Sequence, residues 1–71
     1  MEEQMYEEEL WEQFKRENPL DAVNATTSKL AGYEIRRDYR PFARFFAFHS
    51  AKLCLDFCNE MDPDSEWEII P

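Results

Sequence analysis

A chain of 71 residues has room for one small domain, and domains of this size bury only about 60% of the surface their unfolded chain exposes. Sixteen acids against eight bases give a net charge of −8, which works against direct binding to nucleic acid or to an anionic membrane surface. A core this small usually needs a staple: a disulfide, a metal or a second subunit.

Glu2 to Glu17 is free of Gly and Pro. It places Tyr6, Leu10 and Phe14 at i,i+4 spacing, with Trp11 widening the stripe, so the periodicity predicts an amphipathic helix over about 2–17. Acids crowd its first turns and Lys15 and Arg16 close it, as the helix dipole favours. Pro19 ends it by pushing the preceding residue out of the α region. The acidic N-terminus lacks the basic-then-apolar pattern of a targeting segment, and no run approaches the roughly 20 apolar residues of a membrane span. The expectation is a cytoplasmic protein.

Residues 18–32 read as a connector with one short helical turn, because Asn24, Thr26, Thr27 and Ser28 favour turns and caps. Gly32, the one glycine, marks a position with unusual backbone angles. Tyr33-Glu34-Ile35-Arg36 then alternates apolar and polar, as a short strand would.

Asp38 as cap and Pro41 in the first turn predict a second helix over about 39–61, stopped by Asp62-Pro63-Asp64. At roughly 100° per residue, Phe42, Phe46, Leu53 and Phe57 fall on one stripe, the expected partner of Tyr6, Leu10 and Phe14. Phe48 and Leu55 lie on the opposite side, flanked by Ala47, Ala51 and Cys58. A helix apolar nearly all round is normally buried all round, so the second stripe predicts a homo-oligomer interface of Phe48, Leu55, Ala51 and Phe45. In residues 63–71 Trp67, Ile69 and Ile70 alternate with acids. Trp67 there is either a tail anchor for a partner or an aromatic folded back onto the core. The expected fold is mainly α: helices 2–17 and 39–61 as an antiparallel hairpin, with a short ribbon pairing 33–36 with 67–70. Residues 1–62 form the domain and 63–71 an acidic-aromatic tail.

His49, Cys54 and Cys58 are the soft metal ligands. His49 points roughly 130° or more from the cysteines on the wheel, and a structural zinc site wants four ligands. Buried, reduced thiols and a surface histidine are expected, with no metal and no cofactor. Zinc bridging two chains through four cysteines is the alternative. No base neighbours a nucleophile in sequence, and the expectation is a protein that is not an enzyme.

Charge is unevenly spread. Residues 1–18 hold seven acids and two bases, 29–44 five bases and two acids, and 45–71 six acids and one base. Arg36, Arg37, Arg40 and Arg44, interleaved with Tyr33, Tyr39 and Phe42, would supply phosphate contacts and stacking platforms to nucleic acid, or else pair with the chain's own acids. Glu3, Glu7, Glu8 and Glu12 would form an acidic face imitating a phosphate track for a basic partner, or else a solvated face.

Leu10-Trp11-Glu12-Gln13-Phe14, then Gly32-Tyr33, then Phe42-Ala43-Arg44-Phe45-Phe46-Ala47-Phe48 with Ala51 resembles the small accessory proteins of tailed bacteriophages and prophages. Those open with an acidic helix, pass through a tyrosine-containing linker and close with an aromatic-alanine helix. The chain departs from them in carrying Phe where the last helix usually has Trp. The resemblance implies a non-enzymatic regulator or inhibitor acting on a host protein in the host cytoplasm. Composition and resemblance together predict a non-catalytic acidic protein that binds a partner with a basic surface. The alternative is a small nucleic-acid-associated regulator using the arginine cluster.

Overall fold

A computed structural model describes residues 6–71 of the protein. Helix α1 spans Glu7–Glu17, a single turn α2 spans Pro19–Ala22, and strands β1 (Tyr33–Arg37) and β2 (Arg40–Phe45) form a hairpin. Helix α3 (Phe48–Met61) and strand β3 (Trp67–Ile70) complete the chain. The strands make one antiparallel sheet in the order β2-β1-β3.

The fold is therefore a small α+β fold, which corrects the expected two-helix hairpin. Residues 40–45 are strand, and the second helix begins only at Phe48. The reversal is made at Asp38 and Tyr39, two consecutive non-glycine residues with φ of 52° and 69°. A two-residue turn with both φ positive matches the twist of antiparallel strands, so Asp38 acts in a turn and not as a helix cap. Pro41 sits in the outer strand beside a register shift, where its missing N–H is tolerated. Phe42 is the extra residue there, since Ile35 faces Ala43 while Arg36 faces Pro41. The apolar surplus on the wheel arose from winding strand residues as helix.

Leu10 and Phe14 of α1, Ile35, Phe45, Trp67 and Ala51, Cys54 and Cys58 of α3 are buried in one core. Phe14 links its layers, with its ring 5.9 Å from Phe45 of the sheet and 5.6 Å from Phe57 of α3. Side chains alternate along a strand, so Ile35 and Arg37 face the helices while Glu34 and Arg36 lie on the open face. Of the expected core stripes, Tyr6, Phe46 and Leu53 are exposed.

Gly32 has φ of 85°, and a Cβ there would sit 2.1 Å from the Phe45 carbonyl oxygen. Only glycine satisfies both the left-handed backbone and this approach of the connector to β2. Residues 67–70 pair with β1, Glu34 opposite Ile70 and Arg37 opposite Trp67. The chain end thus belongs to the sheet, and Trp67 is buried with its Nε1 donating to the Asp62 carbonyl at 3.1 Å.

Candidate functional site

The four arginines of the central cluster are separated by the sheet. Arg37 points to the helix side, where it is 8% exposed. Its guanidinium lies 3.2 Å from Asp62 Oδ2, donates through Nε to Ser65 Oγ at 3.2 Å, and stands 5.7 Å from the Trp67 ring. Glu7 approaches it at 4.0 Å. Arg36 and Arg44 lie on the open face and both hold Glu34, at 2.7 and 3.0 Å. Arg44 also donates to the Ala31 carbonyl at 2.7 Å, tying the Gly32 turn to β2. The hydrogen bond from Arg36, and then that from Arg44 with both positive charges, outweigh burial and hold the Glu34 carboxyl below its usual range. Arg40 is exposed in β2, one residue after the hairpin turn. The arrangement gives no single basic surface.

Lys15 pairs with Glu12 at 3.1 Å and Lys52 with Asp56 at 3.0 Å. With Arg36, Arg37 and Arg44 also paired, most of the positive charge is met by the chain's own carboxylates. The outward face of α1 carries exposed Glu8, Glu9 and Glu12. Of the expected acidic set, Glu7 is half-exposed and turned toward Arg37, and Glu3 lies outside the described residues.

The expected oligomer set does not share a surface. Phe45 and Ala51 are fully buried, Leu55 is half-buried, and Phe48 is 51% exposed with its ring 5.3 Å from Tyr33. Phe45 turns inward because it is a strand residue opposite Tyr33. Ala51 shares the buried side of α3 with Cys54 and Cys58. Trp67, the expected tail anchor, is a core residue, so it is unavailable to a partner.

Cys54 and Cys58 are free and fully buried. Their mutual hydrogen bond, with burial adding to it, pushes the Cys54 thiol well above the usual thiol range, which disfavours the thiolate that nucleophilic or metal chemistry requires. His49 is at the exposed start of α3.

One constellation escapes sequence reasoning. Ser50 donates to Asp21 Oδ1 at 3.0 Å, His49 Nε2 lies 3.5 Å from the same oxygen, and Asn24 donates to Ser50 at 3.0 Å. Ser, His and Asp meet here, yet the hydroxyl donates to the carboxylate and not to the imidazole. A nucleophilic serine needs the histidine as its base, and Ser50 is fully buried. The cluster ties α2 to the first turn of α3.

A groove of about 540 Å³ runs along the outer edge of β2, lined by Trp11 of α1, Thr26 and Thr27 of the connector, and Phe42 and Arg44 of β2. The connector already pairs with this edge beside the groove. Thr26 N–H donates to the Arg44 carbonyl at 2.8 Å, Phe46 N–H donates to the Asn24 carbonyl at 2.9 Å, and Ala25 bridges Phe45. No sequence signal announces the groove, because it depends on where 24–27 leaves the sheet.

Among the described residues no helix is long and apolar enough to cross a membrane. No protein-family model, curated protein or solved structure matches this chain.

Proposed function

We propose that this is a non-catalytic, acidic protein-binding regulator or inhibitor whose partner presents a basic surface. The observation that carries the reading is the unequal fate of the charges. Lys15, Arg36, Arg37, Arg44 and Lys52 face the chain's own carboxylates, while Glu8 and Glu9 project from α1 into solvent and Glu12, the partner of Lys15, is exposed beside them. The field a partner meets is negative, and such a field steers association with a basic surface. Division of the arginines between the two faces of the sheet, with Arg37 buried, supports this reading over the nucleic-acid one. The resemblance in residue types to phage accessory proteins fits the same role, with a host protein as target.

Self-association belongs to the proposal. The Phe48 and Leu55 flank of α3 and the outer edge of β3, the terminal strand of the sheet, are the elements offered to a second copy.

The acidic face is tested by fluorescence titration with a labelled lysine-rich peptide at low salt, comparing the native chain with Glu8→Lys/Glu9→Lys/Glu12→Lys. These substitutions lie outside the buried core, with the far-ultraviolet spectrum as the control for the fold, and weaken binding by about tenfold or more, because like-charge juxtaposition costs several kcal/mol. Equal affinity of the two proteins for the peptide refutes the role of the face.

A further inference from the structure

We infer that two copies of this chain join edge to edge through β3, with Trp67 of each opposite Ile69 of the other about a two-fold axis at Glu68, so that two three-stranded sheets become one continuous sheet. The inference rests on the self-association put forward above, takes β3 as its seam and names the register.

The backbone supplies the first argument. In an antiparallel pair, opposite residues alternate between those that exchange hydrogen bonds and those whose N–H and C=O point away from the neighbouring strand. Asp38 N–H donates to the Glu66 carbonyl at 2.8 Å. Counting on from that bond in the register of β1 with β3, Glu68 and Ile70 turn their backbone groups toward Arg36 and Glu34, and Trp67 and Ile69 turn theirs outward. β3 ends the sheet on that side, and among the described residues no backbone bond reaches Trp67 or Ile69 there. A free edge of this kind is a template for another strand. Its flanks are closed, because Ser65 N–H already donates to the Asp62 carbonyl at 3.3 Å and Pro71 has no N–H. Sliding one copy by two residues would set Trp67 against Pro71 or Ile69 against Ser65. Only the register of Trp67 against Ile69 satisfies every outward group of both strands.

The side chains supply the second, and they select a second copy as the occupant. In that register Trp67 of each copy meets Ile69 of the other on the helix side, an aromatic with β-branched pair of the kind that stabilises a sheet. Trp67 is already buried there and Ile69 is half-buried against the core, so the pairing carries the core across the seam. On the open face Glu68 meets Glu68 of the second copy. Like charges directly opposite are unfavourable, but Arg36 stands opposite Glu68 on β1 in each copy. The row across the joined sheet then reads Arg36, Glu68, Glu68, Arg36 and carries no net charge. The edge thus complements itself in bonds, apolar pairs and charge, as a two-fold interface requires.

The test is sedimentation velocity on the full chain over a range of concentrations, with amide hydrogen exchange of the ¹⁵N-labelled protein to locate the seam. The expected result is a dimer in which the Trp67 and Ile69 amides exchange more slowly as concentration rises. Glu68→Gln keeps its backbone bonds to β1 and should dimerise about threefold tighter, because it removes the like-charge pair at the axis. Ile69→Pro should be a monomer with the native far-ultraviolet spectrum, since proline is tolerated on an edge strand where the N–H faces solvent. A dimer whose Trp67 and Ile69 amides exchange at one rate at every concentration overturns the β3 seam and leaves self-association standing. Unchanged affinity of Glu68→Gln overturns the register about Glu68. A monomer at every concentration overturns both the seam and self-association.

Discussion

At the residue scale, Glu34 and Arg37 show how an acidic chain uses its few cations. Glu34 lies on the open face of the sheet yet is only 8% exposed, because Arg36 and Arg44 close over it. Arg37, its neighbour but two along β1, reaches the other face and meets Asp62 at the end of α3. Removing one partner of a buried pair of this kind leaves a charge uncompensated, which is the costly outcome. The depressed pKa of Glu34 has a measurable consequence. A carboxyl whose folded pKa lies below its unfolded value contributes stability that is fully present above the unfolded value, near 4.5, and is lost as pH falls through the folded one. Urea midpoints measured on descending from neutral pH should drop in this acid window. Glu34→Gln should lower the midpoint at neutral pH and flatten the drop. A variant with the native pH profile contradicts the assignment.

At the scale of elements, the sequence is legible where one period dominates. Leu10 and Phe14 at i,i+4, acids before them and Pro19 after them define α1, and the alternation of Tyr33 to Arg36 defines β1. The boundary of α3 is misread for a physical reason. Arg40 to Phe45 satisfies an aromatic helical stripe and a strand equally well on paper, and the deciding feature is the Asp38-Tyr39 turn. Tyrosine at positive φ is an unfavourable choice, and the turn is held by tertiary contacts: Asp38 N–H donates to the Glu66 carbonyl at 2.8 Å, and Glu66 N–H donates to Asp38 Oδ1 at 2.9 Å. Those bonds come from a segment 28 residues away, beyond the reach of local patterning. For the same reason Phe45 reads as interface although it is core, while the groove goes unread. Phe48 is half-exposed against Tyr33 and Leu55 half-buried on α3, and their proposed role is open to test. Sedimentation velocity should give a dimer for the native chain and a monomer for Phe48→Glu. The variant should keep its far-ultraviolet spectrum, since Phe48 is half-exposed and outside the buried core. A native chain that sediments as a monomer removes self-association.

At the scale of the whole molecule, two opposed demands meet in 71 residues. A net charge of −8 keeps a small protein soluble and repels the compact state from within. Placing arginines against carboxylates on both faces of the sheet offsets that repulsion inside the fold. What remains outside is acidic, with α1 as its densest part. The elements beneath that face are a sheet, two longer helices and the single turn α2, and not a helical hairpin. The composition made the sign of the surface readable from the start. Which acids are free and which are paired became readable only with the register of β1, β2 and β3.

The division of labour between inward cations and outward acids is tested most directly by titrating the labelled native chain at low salt with a lysine-rich peptide and, in parallel, with a short DNA duplex. The expected result is peptide binding that weakens as salt is added, with no binding to the duplex. Salt-sensitive binding to the duplex that is lost on Arg40→Ala, with no response to the peptide, is the result that would contradict it.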